Sequence, residues 1–176
     1  FAGLKPVEVS VKVDGNKVKP ISEHLIGIFF EDINYAADGG LYAELVQNRD
    51  FEYSSQDHRN WNSQYAWSVK NGDASFTVAE ENPIHANNSH YAVLDVKQPG
   101  ASLVNAGFDG IAVKKGEKYD FSLFGKMLEG KGGKLKVALV NKEGKTIAQA
   151  NVTVSSATWK KQKAVMLVSE DAADAT

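Results

Sequence analysis

The stretch that decides the fold is residues 118–123, Lys-Tyr-Asp-Phe-Ser-Leu, together with residues 134–140, Lys-Leu-Lys-Val-Ala-Leu-Val. In both, apolar and polar side chains alternate with the period of two that is typical of a half-buried β-strand. Glycine-rich residues 130–133 and the tetrapeptide Asn-Lys-Glu-Gly at 141–144 predict hairpin turns beside these strands. Short strands separated by regular turns favour a β-sandwich.

Further strand patterns fill the chain from Ala66 onward, and no internal repeat is present. The predicted strands are 67–69, 74–79, 90–96, 102–105, 111–113, 118–127, 134–140, 146–154 and 159–168. The last eight residues, 169–176, are rich in Asp, Glu and Ala and predict a polar loop with no closing strand. This pattern suggests that the chain ends inside a domain.

Residues 1–65 show a different organisation. Alternating valines at positions 7, 9, 11 and 13 predict a strand, and Asp14-Gly15-Asn16 predicts a turn. Residues 26–31 are apolar on both faces, as in a strand covered on both sides, and deliver Glu31 to the strand end. Asp38 is a candidate N-cap for a helix from about Gly39 to Arg49. This strand–loop–helix order is how a (β/α) barrel begins.

Composition excludes several classes of protein. A net charge of −2 gives no electrostatic reason to expect a nucleic acid or an anionic membrane as partner. The chain contains no cysteine, which excludes disulfides and thiolate metal sites. No apolar run approaches the ~18 residues that a membrane-spanning helix needs.

Glu31 and Asn34 are the leading candidates for contact with a ligand. A carboxylate at the end of a buried strand would stand at the mouth of a barrel, where active sites are built. The alternative is that Glu31 is an ordinary surface glutamate and that Asn34 serves turn formation. Glu31 and Asp32 point to opposite sides of an extended strand, so they cannot act as a catalytic pair.

Aromatic side chains provide a second set of candidates. Trp61, Trp67 and Tyr91 could stack on sugar rings, although large aromatic rings in a sandwich more often belong to the core. The histidines at 24, 58, 85 and 90 lack the spacing of metal ligands, and we expect neither a metal nor a cofactor.

Residues 21–34, Ile-Ser-Glu-His-Leu-Ile-Gly-Ile-Phe-Phe-Glu-Asp-Ile-Asn, and residues 38–49, Asp-Gly-Gly-Leu-Tyr-Ala-Glu-Leu-Val-Gln-Asn-Arg, carry a family resemblance. Over about residues 7–53 the chain resembles the N-terminus of α-L-arabinofuranosidases of glycoside hydrolase family 51. Residues 66–176 look like the carbohydrate-binding-module-like, galactose-binding-like jelly roll that some of these enzymes insert. The resemblance therefore implies two regions: residues 1–60 with a β-domain strand and the first β/α element of a TIM barrel, and residues 61–176 with a jelly roll shortened at its C-terminus.

The resemblance also implies a function. These enzymes remove terminal arabinofuranosyl groups from arabinoxylan and arabinan with retention of configuration, which requires two carboxyl groups about 5 Å apart. In the family both are glutamates on later barrel strands, so no catalytic residue is expected in this chain, and Glu31 would bind sugar hydroxyls. A periplasmic or extracellular location is typical of such enzymes. Apolar residues such as Ile28 and Phe30 would favour a homo-oligomer if exposed.

Two alternatives remain open for the jelly roll. It could be a non-catalytic carbohydrate-binding module, or it could be a structural sandwich that braces a catalytic domain without binding sugar.

Overall fold

A computed structural model describes residues 10–16, 20, 22, 35, 37, 40–130 and 132–176. The chain divides into two compact units, Phe1–Glu31 and Asp32–Thr176. The described residues contain ten strands and no helix: β1 Trp67–Lys70, β2 Ala74–Ala79, β3 Tyr91–Val96, β4 Ser102–Asn105, β5 Ile111–Val113, β6 Lys118–Gly125, β7 Gly133–Val140, β8 Thr146–Val154, β9 Lys160–Leu167 and β10 Ala172–Ala175. No helix in this part of the chain is long and apolar enough to cross a lipid bilayer.

All ten strands form antiparallel pairs, in the combinations β1–β4, β2–β3, β5–β10, β6–β9 and β7–β8. The β6–β9 ladder runs from the Lys118–Leu167 pair to the Gly125–Lys160 pair. Val140 and Thr176 exchange two backbone hydrogen bonds of 2.9 Å, which connects the end of β7 to the residue after β10.

The core joins side chains from the β5–β10, β6–β9 and β7–β8 pairs. Ile147 on β8 is 2% exposed and Met166 on β9 is 5% exposed, and both belong to one apolar cluster. Gly125 of β6 is so close to Val154 of β8 that a Cβ there would lie 2.9 Å from a valine methyl group. Side chains from these pairs thus fill a common interior, as in a sandwich. The predicted β-sandwich is confirmed.

The period-two patterns located the strands accurately. Nine of the ten strands coincide with predicted ones to within about two residues at each end, which is the usual uncertainty of strand boundaries. The hairpin turn at 141–144 is also confirmed, because the Gly144 amide donates to the Asn141 carbonyl at 2.9 Å between paired strands β7 and β8.

The prediction of a hairpin turn at 130–133 is wrong. The strands on either side, β6 and β7, pair with different partners, β9 and β8 respectively, and not with each other. Glycine is needed there for another reason: Gly132 has a φ of +72° and approaches the Val154 carbonyl too closely for any Cβ.

The prediction of a polar loop over residues 169–176 is also wrong. Ala172–Ala175 forms β10, which pairs with β5. Ala175 is completely buried in the core cluster. Small alanines leave room for close packing but give no clear apolar alternation, so the sequence pattern did not show this strand.

The helix predicted from Gly39 to Arg49 is absent from its described part. Residues 40–49 form turns and irregular structure, and Leu41 and Tyr42 are 80% and 58% exposed. A helix of about ten residues is marginal in water unless its whole apolar face packs against a partner. Here Leu45 packs against the core cluster, but Leu41 and Tyr42 stay exposed. The helix of the predicted first β/α element is therefore absent from residues 40–49, and the strand predicted at 26–31 lies outside the described residues.

The N-terminal unit is described only at residues 10–16, 20 and 22. The turn at Asp14-Gly15-Asn16 is confirmed, with the Asn16 amide 3.1 Å from Asp14 Oδ1. Residues 10–13, the described part of the predicted valine strand, are not in a strand, and Val11 and Val13 are 81% and 87% exposed. A single extended segment without a pairing partner does not form a stable strand.

We expect Ala175→Leu to lower the free energy of unfolding by about 1–3 kcal/mol, because the larger side chain must be forced into a packed core. Urea denaturation measures this change. Ala173→Leu is the matched control, since Ala173 lies in the same strand but is exposed. Equal effects of the two substitutions would contradict the packing of β10.

Candidate functional site

Glu31 and Asn34 lie outside the described residues. Their predicted contact with sugar hydroxyls therefore stays a prediction. The three aromatic candidates are all described, and the structure gives each of them a different environment.

Trp67 begins β1 and is half-buried. Its Nε1 donates a 2.9 Å hydrogen bond to the Asn48 carbonyl, and its ring centroid lies 5.3 Å from that of Phe51. Phe51 in turn lies 6.2 Å from Phe76 on β2. Trp67 thus joins the segment before the sandwich to the first strands, which is a structural contact.

Tyr91 begins β3 and is 9% exposed. Its hydroxyl donates a 2.7 Å hydrogen bond to the Glu81 carbonyl, and its ring packs edge-on against Trp159 at 5.1 Å. Lys126 Nζ lies 4.8 Å and 4.5 Å from the Tyr91 and Trp159 centroids, within the range of cation–π attraction.

The Asn82 carbonyl completes this group. It accepts hydrogen bonds from Lys126 Nζ at 2.9 Å and from Trp159 Nε1 at 3.1 Å. The connection between β2 and β3 is thereby held against the residues that directly follow β6 and directly precede β9.

Trp61 is half-buried in a ring stack on the segment that precedes β1. Its ring lies 4.1 Å from Tyr53 in a near-parallel arrangement, and 5.9 Å from Tyr65. His58 is tilted against it at 5.4 Å. Among the described residues, no ring contact connects Trp61, Trp67 and Tyr91 with one another, so the structure does not assemble them into a single platform.

A charged cluster that the sequence did not reveal lies around His90. His90 Nδ1 is 2.6 Å from Glu52 Oε2, and His90 Nε2 is 3.0 Å from Glu80 Oε1. The other Glu52 oxygen, Oε1, accepts the His90 amide at 2.9 Å and Asn88 Nδ2 at 3.2 Å. Glu52 and His90 are 38 residues apart, so no local motif signals their contact.

These contacts shift the titration of both groups. Burial alone would lower the pKa of His90, but its hydrogen bond to Glu52 and the charges of Glu52 and Glu80 raise that pKa above its ordinary value of 6.5. Burial alone would raise the pKa of Glu52, but hydrogen bonds from His90 and Asn88 lower it below 4.5. The cluster is therefore a half-exposed ion pair at mildly acidic pH.

The cluster does not resemble a metal centre. In the part of the chain that the structure describes, no group of three or more acidic or histidine side chains is arranged to hold a metal ion. Both ring nitrogens of His90 already face carboxylates, which makes the cluster a connection between Glu52 and the start of β3.

We expect Glu52→Gln to destabilise the chain most between about pH 4.5 and 6.5. The raised pKa of His90 adds stability that is present below pH 6.5 and is lost as the pH rises through its folded value. The lowered pKa of Glu52 adds stability that is present above pH 4.5 and is lost as the pH falls through its folded value.

Urea denaturation of both proteins from pH 4 to pH 8 measures the difference, which should be about 1 kcal/mol at its maximum for a partly exposed pair. Glu80→Gln is the control, because the 70% exposed Glu80 side chain should contribute less. A difference that does not vary with pH would show that the pair carries no charge interaction.

Similarity to known proteins agrees with this architecture. The family profile described as a carbohydrate binding domain matches residues 43–176. The extracellular exo-α-L-arabinofuranosidase of Streptomyces chartreusis is 40% identical over 159 residues, which is 89% of this chain and 18% of that protein. α-L-Arabinofuranosidase 1 of Arabidopsis thaliana is 34% identical over 126 residues, 66% of this chain and 18% of that protein.

A solved structure agrees as well. An arabinose-bound α-L-arabinofuranosidase of glycoside hydrolase family 51 superposes with a TM-score of 0.70 at 28% identity, covering 82% of this chain and 24% of that one. The chain spans about a fifth of the length of the curated relatives it matches.

These matches confirm the resemblance to α-L-arabinofuranosidases and the jelly-roll-like β-sandwich stated from the sequence. The match to the domain profile extends over 43–176, well over half of the chain, and includes all ten strands. This chain belongs to the carbohydrate binding domain family.

Proposed function

We propose that this chain is the N-terminal part of a retaining α-L-arabinofuranosidase. The whole enzyme would remove terminal non-reducing α-L-arabinofuranosyl residues from polysaccharides such as arabinoxylan and arabinan. The observation that carries this proposal is the 40% identity to an arabinofuranosidase over 89% of the chain. The name of that relative also supports an extracellular or periplasmic location.

Within that enzyme, the chain itself would be non-catalytic. Retaining hydrolysis needs a nucleophile and an acid/base, two carboxyl groups about 5 Å apart that are free to meet the sugar. Glu52 is occupied by His90 and Asn88, and Glu80 faces the other nitrogen of the same histidine. These contacts support a structural role for both carboxylates.

The described aromatic contacts favour the sandwich as a brace for the catalytic domain. Trp67 and Tyr91 donate their side-chain N–H and O–H groups to backbone carbonyls, and their rings pack against other aromatic rings. Glu31 and Asn34 would be the residues of this chain that hydrogen-bond the sugar, at the mouth of a barrel completed by other residues.

Sugar binding by the sandwich is a second candidate, favoured by the match to a carbohydrate binding domain. Trp61 would be its contact residue. Its half-buried ring is flanked in sequence by exposed Asn60 and Asn62, whose side-chain amides could hydrogen-bond sugar hydroxyls.

Hydrolysis of an aryl α-L-arabinofuranoside tests the first proposal. We expect no turnover by this chain, and turnover with retention by a protein that carries this chain together with a complete barrel. Inactivity of the longer protein would refute the arabinofuranosidase assignment. Turnover by this chain alone would refute its non-catalytic role.

Titration with arabinan oligosaccharides, followed by tryptophan fluorescence, tests the second candidate. We expect Trp61→Ala to weaken binding about tenfold, which corresponds to ~1.4 kcal/mol. Tyr42→Ala is the control, because Tyr42 is 58% exposed and its ring contact is with Arg49 rather than the stack. Binding that is unchanged in Trp61→Ala would leave the brace as the function of the sandwich.

A further inference from the structure

The outer face of the β6–β9 pair has an unusual combination of charge and exposed apolar surface. Along both strands, alternate side chains point away from the core, and all of the outward ones are exposed. Three of them are lysines, Lys118, Lys161 and Lys163, and the acidic residue among them is Asp120. The face is therefore locally positive on a chain whose net charge is −2.

The same face exposes large apolar side chains. Phe124 is 51% exposed and lies opposite Lys161, whose Nζ is 5.3 Å from the ring centroid. Val165 and Leu167 are 58% and 60% exposed. They border a shallow groove of about 520 Å³ whose other wall includes Thr146 and Gln149 of β8.

The outer face of β7–β8 provides a comparison within the same sandwich. It carries Lys134 and Lys136, but its remaining outward residues are Ala138, Gln149, Asn151 and Thr153. Lysines occur on exposed strands of many proteins, where they discourage aggregation. Only the β6–β9 face, among these two, adds an aromatic ring and exposed aliphatic residues to the positive charge.

The spacing of these groups suits an extended ligand. Outward residues on one strand repeat every two positions, so Lys161 and Lys163 are about 7 Å apart and the row from Lys161 to Leu167 is about 20 Å long. This row is longer than a single small anion, and its length suits a polymer with repeated negative charges. The Phe124 ring would pack against the C–H face of a sugar ring and exclude water from it.

We propose that the outer face of β6–β9 binds a polysaccharide that carries uronate carboxylates. Lys161 and Lys163 pair with the carboxylates, and Phe124 stacks against a sugar ring beside them. This inference rests on the proposed function and deepens it, because it assigns the polysaccharide backbone, rather than the arabinose side groups, to this chain.

Affinity electrophoresis and calorimetry of this chain with polygalacturonate test the inference, with carboxyl-reduced polygalacturonate as the neutral ligand. We expect binding to polygalacturonate that weakens as salt screens the charges, and little binding to the reduced polymer. Lys161→Glu with Lys163→Glu should weaken binding at least about tenfold, and Phe124→Ala should weaken it in the same direction.

The matched control is Lys134→Glu with Lys136→Glu, which makes the same charge change on the outer face of β7–β8. Exposed substitutions of this kind leave stability nearly unchanged, so urea denaturation should show all variants folded. Equal weakening by the two double variants would overturn the proposal, since binding would then depend on net charge alone. Absence of binding, or equal binding to the reduced polymer, would also overturn it.

None of these three negative results bears on arabinofuranoside hydrolysis. Activity of the longer protein would still support the arabinofuranosidase assignment even if the outer face of β6–β9 did not bind polygalacturonate.

Discussion

The hydrogen bonds of buried Asn48 hold the segment before β1 against the sandwich. Asn48 is 2% exposed. Its Nδ2 donates to the carbonyls of Ser63 and Tyr65 at 3.0 Å, and its Oδ1 accepts the Tyr53 amide at 3.1 Å. Its own carbonyl accepts Trp67 Nε1. A buried amide is costly unless its donors and acceptors are paired, and here the pairing folds 48–67 around one side chain.

The side-chain amide of Asn105 ties the same segment to the sandwich. Asn105, at the end of β4, accepts the Gln47 amide and donates to the Gln47 carbonyl, so the two residues are tied in both directions. Asn105 Oδ1 also accepts the Gly107 amide. Both backbone groups of Gln47 and the carbonyl of Asn48 therefore form hydrogen bonds with distant residues. Asn48 adopts a φ of 52°, which asparagine tolerates better than most residues.

These hydrogen bonds of Gln47 and Asn48 bear on several features of the neighbouring residues. The left-handed φ of Asn48 prevents a helix from continuing as far as Arg49. The segment after it brings Phe51 to Trp67 and Glu52 to His90, so the aromatic and acidic residues there serve packing. A firmly attached segment before β1 agrees with the proposal that the sandwich acts as a brace.

The sequence predictions succeeded where the interactions join near neighbours in the chain, and they failed where the interactions join distant residues. Strands such as Thr146–Val154 could be located because alternation is visible within a few neighbouring residues. β10 was missed because its alanines carry little pattern, and its burial depends on β5, about 60 residues earlier. The Glu52–His90 pair could not be anticipated for the same reason. Glu31 and Asn34 were chosen from strand-end chemistry and family resemblance, and they lie outside the described residues.

The sequence by itself determined the positions of nine of the ten strands, the turn at 141–144 and the family resemblance, because each depends on residue order over short spans. Only the tertiary structure decided which strands pair, that residues 40–49 are not helical, and that Trp67 and Tyr91 are held by backbone carbonyls. It also decided that Phe124, Lys161 and Lys163 share one exposed face. These outcomes depend on contacts between residues tens of positions apart, whose free energy appears only when the whole chain is packed.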